Sequence, residues 1–334
     1  FTIHNLAYQG LFPASTLDDL NLPANLWHPE GLEFHGQVSF MKAALVFADI
    51  ITTVSPTYAR EIQQPAAGMG LDGVLNARGK DLYGILNGVD YNDWDPAEDR
   101  HIAAPYSADN LGGKAANKAA LQTRLGLETD PDIPLLGHVG RMVEQKGVDL
   151  LHAACTPLLD AGRIQLALVG SGQGDLEHAT GALARAYPGR VGVHLGYDEP
   201  LAHQVEAGAD LFLMPSRFEP CGLNQLYSLR YGTPPVVHAT GGLVDTVVDA
   251  TPENLANGTA TGFSFTPDTV GALGTALERA LGLYAARSDG QWEQLMRCGM
   301  ARDFGWTASA DAYLALYHEQ KARQSPGTIP ASAL

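Results

Sequence analysis

From residue 133 to residue 248 the chain repeats one pattern. A short apolar run ends in a glycine-rich or polar turn, and a stretch with helical spacing follows. The apolar runs fall at 133–140, 164–169, 191–195, 211–214 and 235–237, with helical patterns at 148–162, 175–187 and 199–207 between them. Runs this short and this uniformly apolar suit strands buried on both faces. Helical crossovers between them permit parallel pairing, so the pattern predicts an α/β fold with a doubly wound parallel sheet. In such a sheet every turn that follows a strand emerges at the same edge, so residues far apart in sequence can converge there.

A second, less regular series comes first. Residues 1–5 read as a strand running into the loop 6–13, which sets His4 at a strand's carboxyl end. A helical pattern covers 36–49, a strand 50–55, and a helix 57–62 opens with Pro56 in its first turn. Residues 83–90 read as a strand entering a glycine turn, and the polar stretch 91–116 as an interdomain crossing. The division predicted is 1–92, 93–305 and 306–334, the last containing an amphipathic helix over 308–320. At 334 residues and 45% hydrophobic content the chain suits two α/β domains. Phe1 is not an initiator and sits in a strand already under way, so the expectation is that the natural protein begins upstream.

Charge narrows the function. A formal charge of −16 argues against a nucleic-acid partner, which needs basic surface. It also singles out Arg141 and Lys146, since the chain has only six lysines and these two cations share one turn after a strand. Arginine binds a diphosphate through two parallel N–H groups and lysine adds a mobile point charge; a surface ion pair is the plainer reading. Three cysteines without CxxC spacing point to a reducing, cytoplasmic setting and away from a zinc knuckle. No apolar run approaches the ~18 residues of a membrane span.

The stretch 215–245 is where the chemistry concentrates. After the apolar run 210–214 the chain turns through Pro215 and Pro220 into a helical pattern at 223–227, which places a helix N-terminus beside Glu219. The N–H groups of Gly222, Leu223 and Asn224 then form a donor cluster for an oxygen-rich ligand, with Glu219 available to accept from hydroxyls. Thr240, Gly241 and Gly242 precede a further helix and are positioned to offer N–H groups to the same phosphates. Tyr197, after the third strand, could stack on a nucleobase or pack on its neighbours. The glycines of 170–174 lack GxGxxG spacing, which weakens a dinucleotide reading.

The segments HNLAYQG (4–10), EFHGQVSFMKAAL (33–45), VSPTYAREI (54–62), LNGVD (86–90), GRMVEQKGVDL (140–150), PSRFEPCGLNQLYSLRYGTPPVV (215–237) and TGGLVDTV (240–247) together resemble the bacterial glycogen synthases. That resemblance implies a GT-B fold, two Rossmann-like domains of which the first is incomplete here, with the last helix returning to the first domain. It implies transfer of glucose from ADP-glucose to the non-reducing end of an α-1,4-glucan, with retention of configuration and with neither metal nor cofactor. By the same resemblance Arg141 and Lys146 bind the diphosphate, Glu219 holds glucose hydroxyls, and Cys221, Gly222 and Leu223 line the pocket. His4 faces the reacting sugar, Asn87 lies near the hinge and Tyr197 stacks on adenine.

Two departures qualify it. Where related enzymes carry Glu-x7-Glu, the second position here is Tyr227, as in the bacterial glycogen synthase branch. The family's Lys-x-Gly-Gly loop is absent from these residues, so the expectation is that residues 1–334 alone are inactive. The competing readings are a non-catalytic nucleotide- or glucan-binding remnant and a nucleotide-dependent dehydrogenase. Oligomeric state is not legible in the residues.

Overall fold

The structure is a computed structural model that describes residues 1–324. Two compact units divide the chain, one of residues 1–88 with 306 onward, the other of residues 89–305.

The second unit is built on six parallel strands. These are β7 (Leu135–Val139), β8 (Gln165–Gly170), β9 (Val191–Leu195), β10 (Leu211–Met214), β11 (Pro235–His238) and β12 (Phe263–Phe265), in the order β12-β11-β10-β7-β8-β9. Their alternating side chains divide between two cores. Leu136, Leu166, Leu168, Leu211, Leu213 and Val236 point to one face, beneath the helices Val148–Asp160 and Val270–Ala285. Leu135, Ala167, Val169, Phe212, Met214 and Val237 point to the other, which receives Leu121, Leu201, Val205 and Leu243 from helices on that side. Each of the Leu, Val, Phe and Met side chains, fully buried, contributes about 1.5–3 kcal/mol. The expected doubly wound sheet is therefore present, and winding outward in both directions from β7 leaves a switch point between β7 and β10.

The polar stretch beyond residue 91 differs from the expectation. Val89 N–H donates to Phe304 O (2.7 Å), Phe304 N–H donates to the Tyr91 hydroxyl (2.7 Å), and the Tyr106 hydroxyl donates to Tyr231 O (2.8 Å). These bonds tie the stretch into the second unit. It leads to a helix, Gly113–Arg124, that packs on the helix Glu199–Gly208. Its inward face carries Asn117, Lys118 and Gln122, polar groups that are buried but bonded, which hides it from an apolar pattern.

The first unit has a smaller parallel sheet, β1-β5-β6, from β1 (Thr2–Ile3), β5 (Ile51–Thr53) and β6 (Leu82–Gly84). Beside it an antiparallel sheet pairs β2 (Leu11–Phe12), β4 (Gln37–Ser39) and β3 (Glu33–Phe34). The expected helix over 36–49 is shorter, Phe40–Phe47, because Ser39 is extended and caps it by accepting from Lys42 N–H. Ile3, Leu6, Leu45, Ile51, Tyr58 and Ile62 form the core, where Leu6 N–H donates to the buried Tyr58 hydroxyl (3.1 Å). The helix Trp306–Gln324 belongs to this unit, with Ser309 Oγ donating to Leu86 O (2.6 Å). The expected tail, 325–334, lies outside the described residues.

Candidate active site

Strands β7 and β10 pair only through Leu136–Leu211 and Gly137–Phe212. One residue on, the ladder stops and the strands part. His138 bridges the gap, its Nδ1 donating to Leu213 O at 2.9 Å. A carbonyl only accepts, so Nδ1 carries the proton and Nε2 is left an acceptor. That nitrogen is buried and has no partner among the described residues. Burial pushes the imidazole pKa from 6.5 down to about 4, and the nearby Lys146 charge adds to the effect.

Above this seam the loops after β7 and β10 are stitched together. Arg217 N–H donates to Gln145 O (2.8 Å) and Gln145 Nε2 to Phe218 O (3.1 Å). The Arg217 guanidinium forks onto Asp149 at 2.9 and 2.6 Å and holds that carboxyl below the usual range. Gly147, at φ +65°, lies so close that a Cβ there would fall 2.0 Å from Pro215 O.

Within this frame Lys146 Nζ donates to Glu219 Oε2 at 2.6 Å, and Ser216 Oγ donates to the same oxygen at 3.0 Å. Glu219 is only 5% exposed, and its Oε1 has no bond within the described residues. Arg141, exposed at the start of the same loop, reaches Gln145 Oε1 with Nη2 at 3.3 Å.

The loop runs on through buried Cys221 to Gly222 and Leu223, whose N–H groups meet no backbone acceptor among the described residues. Gln225 Nε2 clamps the carbonyls of Cys221 (3.0 Å) and Gly222 (3.1 Å), and Asn224 Nδ2 reaches Val139 O at the end of β7 (2.5 Å). The helix Asn224–Arg230 therefore starts over the switch point.

Thr240, Gly241 and Gly242 abut the same loop, with one correction to the expected role. The Gly242 N–H donates to Glu219 O (3.1 Å) and Pro220 O (3.2 Å), so it braces the Glu219 loop and is not presented to a ligand. At Gly241, φ +48°, a Cβ would come within 2.0 Å of Glu219 O.

Tyr197 follows the edge strand β9. It is 86% exposed, and its hydroxyl donates to Glu199 Oε2 (3.3 Å). Tyr227 stacks on Trp94, with ring centroids 3.8 Å apart, and the far face of Trp94 stacks on His203 at 3.7 Å. His203 Nδ1 in turn pairs with buried Asp99 (2.8 Å). His4 and Asn87 belong to the first unit, exposed and half-buried respectively, beyond the carboxyl ends of β1 and β6. Among the described residues no group of three His, Cys, Asp or Glu side chains is placed to hold a metal ion.

Sequence reasoning missed Ser216, His138, Gln145, Arg217 and Trp94. A lone serine or glutamine carries no pattern, and only the doublet of cations flanking Gln145 drew attention to that loop.

Residues 1–77 match the starch synthase catalytic domain family, and residues 123–289, half of the chain, match the glycosyl transferases group 1 family. Against the solved structure of the catalytic domain of starch synthase IV from Arabidopsis thaliana bound to ADP and acarbose, the TM-score is 0.91 at 37% identity. That match covers 97% of this chain and 67% of the other. The chain belongs to the glycogen and starch synthase family of group 1 glycosyl transferases. Among family members, a glycogen synthase of Thioalkalivibrio sulfidiphilus is 63% identical over 319 residues, and one of Alkalilimnicola ehrlichii is 57% identical over 330. These alignments take in 96% and 98% of the chain and 66% of each relative, so it spans about two thirds of their length. A sucrose-phosphate synthase of Thermosynechococcus elongatus, at 24% identity and a TM-score of 0.57, shares the GT-B fold alone.

Proposed function

We propose that the protein carrying this chain transfers glucose from ADP-glucose to the non-reducing end of an α-1,4-glucan, retaining anomeric configuration. The observation that carries this reading is the Lys146–Glu219 pair at the switch point of a six-stranded parallel sheet, in a chain of this family. Lysine has three N–H groups, and Glu219 engages one. The others are directed to donor phosphate, where Arg141 joins them in stabilising the departing ADP, and Glu219 Oε1 accepts from a glucose hydroxyl.

Charge accumulates on the diphosphate as the glycosidic bond breaks, and fixed cations in a site of low water content stabilise it most at that point. The side chains bonded to Glu219 are a cation and a hydroxyl rather than a second carboxylate. This favours departure and attack on one face over a glycosyl–enzyme intermediate, which needs a nucleophilic partner to an acid.

Cys221, Gly222 and Leu223 line the pocket, with Thr240, Gly241 and Gly242 behind it. Tyr197 stacks on adenine. In this scheme residues 1–92 are acceptor-side, 93–305 hold the donor, and the terminal segment from 306 completes the first domain. The setting is cytoplasmic, which accords with three cysteines outside any disulfide. No helix among the described residues is long and apolar enough to cross a membrane.

Glucose transfer from labelled ADP-glucose to glycogen by the full-length protein tests the reading. Loss of transfer in Arg141→Ala, at least a hundredfold, is the expected result; a rate within a few-fold of the parent refutes the phosphate assignment. Residues 1–334 alone, in the same assay, are expected to give no turnover, since they span about two thirds of the relatives' length.

A further inference from the structure

We propose that Ser216 is a positioning residue that fixes which oxygen of Glu219 meets the donor sugar, and so makes the site selective for the hexose of a nucleotide sugar over the nucleotide alone. The inference rests on the donor site proposed above and deepens it.

A carboxylate turns readily about its last torsion, which is broad and two-fold. Held by Lys146 alone, Glu219 could exchange its oxygens or follow the lysine. Ser216 Oγ adds a bond to Oε2 at 3.0 Å from a second direction, and two donors on one oxygen set the carboxylate plane. Oε1 is then the one oxygen left for a ligand.

The serine is itself held. It is 1% exposed, and its carbonyl accepts from His238 Nδ1 at 2.8 Å, so the last residue of the neighbouring strand β11 pins the backbone that carries the hydroxyl. Its Oγ has no partner other than Glu219 among the described residues. Lysine is a flexible point charge that can follow phosphate. Ser216 keeps Glu219 in place when Lys146 does so, which separates hexose recognition from phosphate recognition.

The separation is measurable by calorimetry on the full-length protein with two probes, ADP-glucose and ADP. Ser216→Ala is expected to raise the Kd for ADP-glucose about tenfold and leave that for ADP within about twofold, since ADP has no hexose. A general loss of packing would weaken both. Equal weakening of the two ligands, or no weakening of either, overturns the positioning role.

Glu219→Gln is the control for the underlying site. If it leaves ADP-glucose affinity and turnover unchanged, the donor-site reading itself fails. If it impairs both while Ser216→Ala binds normally, only the serine assignment fails. Should the alanine variant not fold, Ser216→Thr retains the hydroxyl and is expected to keep the parent ratio of ADP-glucose to ADP affinity; collapse of that ratio overturns the proposal.

Discussion

The second unit contains two lysine–carboxylate pairs of nearly equal length at opposite ends of its sheet, and they differ in what else they bond. Lys118 meets Asp210 at 2.7 Å where β10 begins, and Lys146 meets Glu219 at 2.6 Å beyond its end. Lys118 Nζ also donates to Pro131 O, Ile133 O and the Tyr284 hydroxyl, while Asp210 accepts from Leu135 N–H. Every proton of that ammonium has a protein acceptor. Among the described residues Lys146 has the single hydrogen-bond partner Glu219, whose second oxygen is open. A buried ion pair with its hydrogen bonds complete is part of the scaffold; one with bonds still to make is a place for a ligand. Proximity of opposite charges does not distinguish the two.

The largest expected effect breaks the scaffold pair. Lys118→Ala leaves the largely buried Asp210 carboxylate, 14% exposed, without its cation and is expected to lower unfolding free energy by ~3–5 kcal/mol in a denaturant titration of the full-length protein. A loss below ~1 kcal/mol would erase the contrast. Lys146→Ala should be felt mainly in turnover. Transition-state stabilisation falls by ~2–4 kcal/mol in transfer assays, while unfolding free energy falls by less than in Lys118→Ala, since the lysine gives up its bond to Glu219 rather than several protein acceptors.

Next in size is an acid effect from the seam between the pairs. His138 is held neutral, its pKa near 4 in the folded chain against 6.5 unfolded. The unfolded state therefore binds the extra proton across that window, so stability is full above pH 6.5 and declines as pH falls toward 4. Between pH 7.5 and 4.5 the loss from this one group is on the order of 2–3 kcal/mol. His138→Leu should flatten that part of the stability profile; an unchanged slope would show that other groups set it. Smallest is the coupling of Lys146 to Glu219. A double-mutant cycle on turnover with Lys146→Ala and Glu219→Gln should give an interaction energy of ~1–2 kcal/mol, whereas strict additivity would mean that the two act on the donor separately.

The sheet was readable because its strands are uniform apolar runs closed by glycine or proline turns, as at 165–170 and 211–214. The helix Gly113–Arg124 was not, because three of the four residues it buries, Asn117, Lys118 and Gln122, are polar and only Leu121 is apolar. β12 has three residues and gives too short a signal.

At the site, Arg141, Lys146 and Glu219 stood out as charges in turns after strands, and the structure brings Lys146 onto Glu219. The role of Gly242 was misjudged because its N–H looks available until the Glu219 loop is folded against it. Ser216 and His238 lie 22 residues apart and become partners only when β10 and β11 pair. Contacts of that kind follow from tertiary approach, which no local pattern encodes.

Gly147 and Gly241 set a condition on any change at this edge of the sheet. Each leaves vacant a spot where one more carbon would sit 2.0 Å from a carbonyl oxygen of the loop that carries Glu219. The width of the mouth is thus defined by missing atoms. A methyl group at either position would act as a wedge and carry the carboxylate off its mark without touching it, so the tolerance of this machinery is finer than a single carbon.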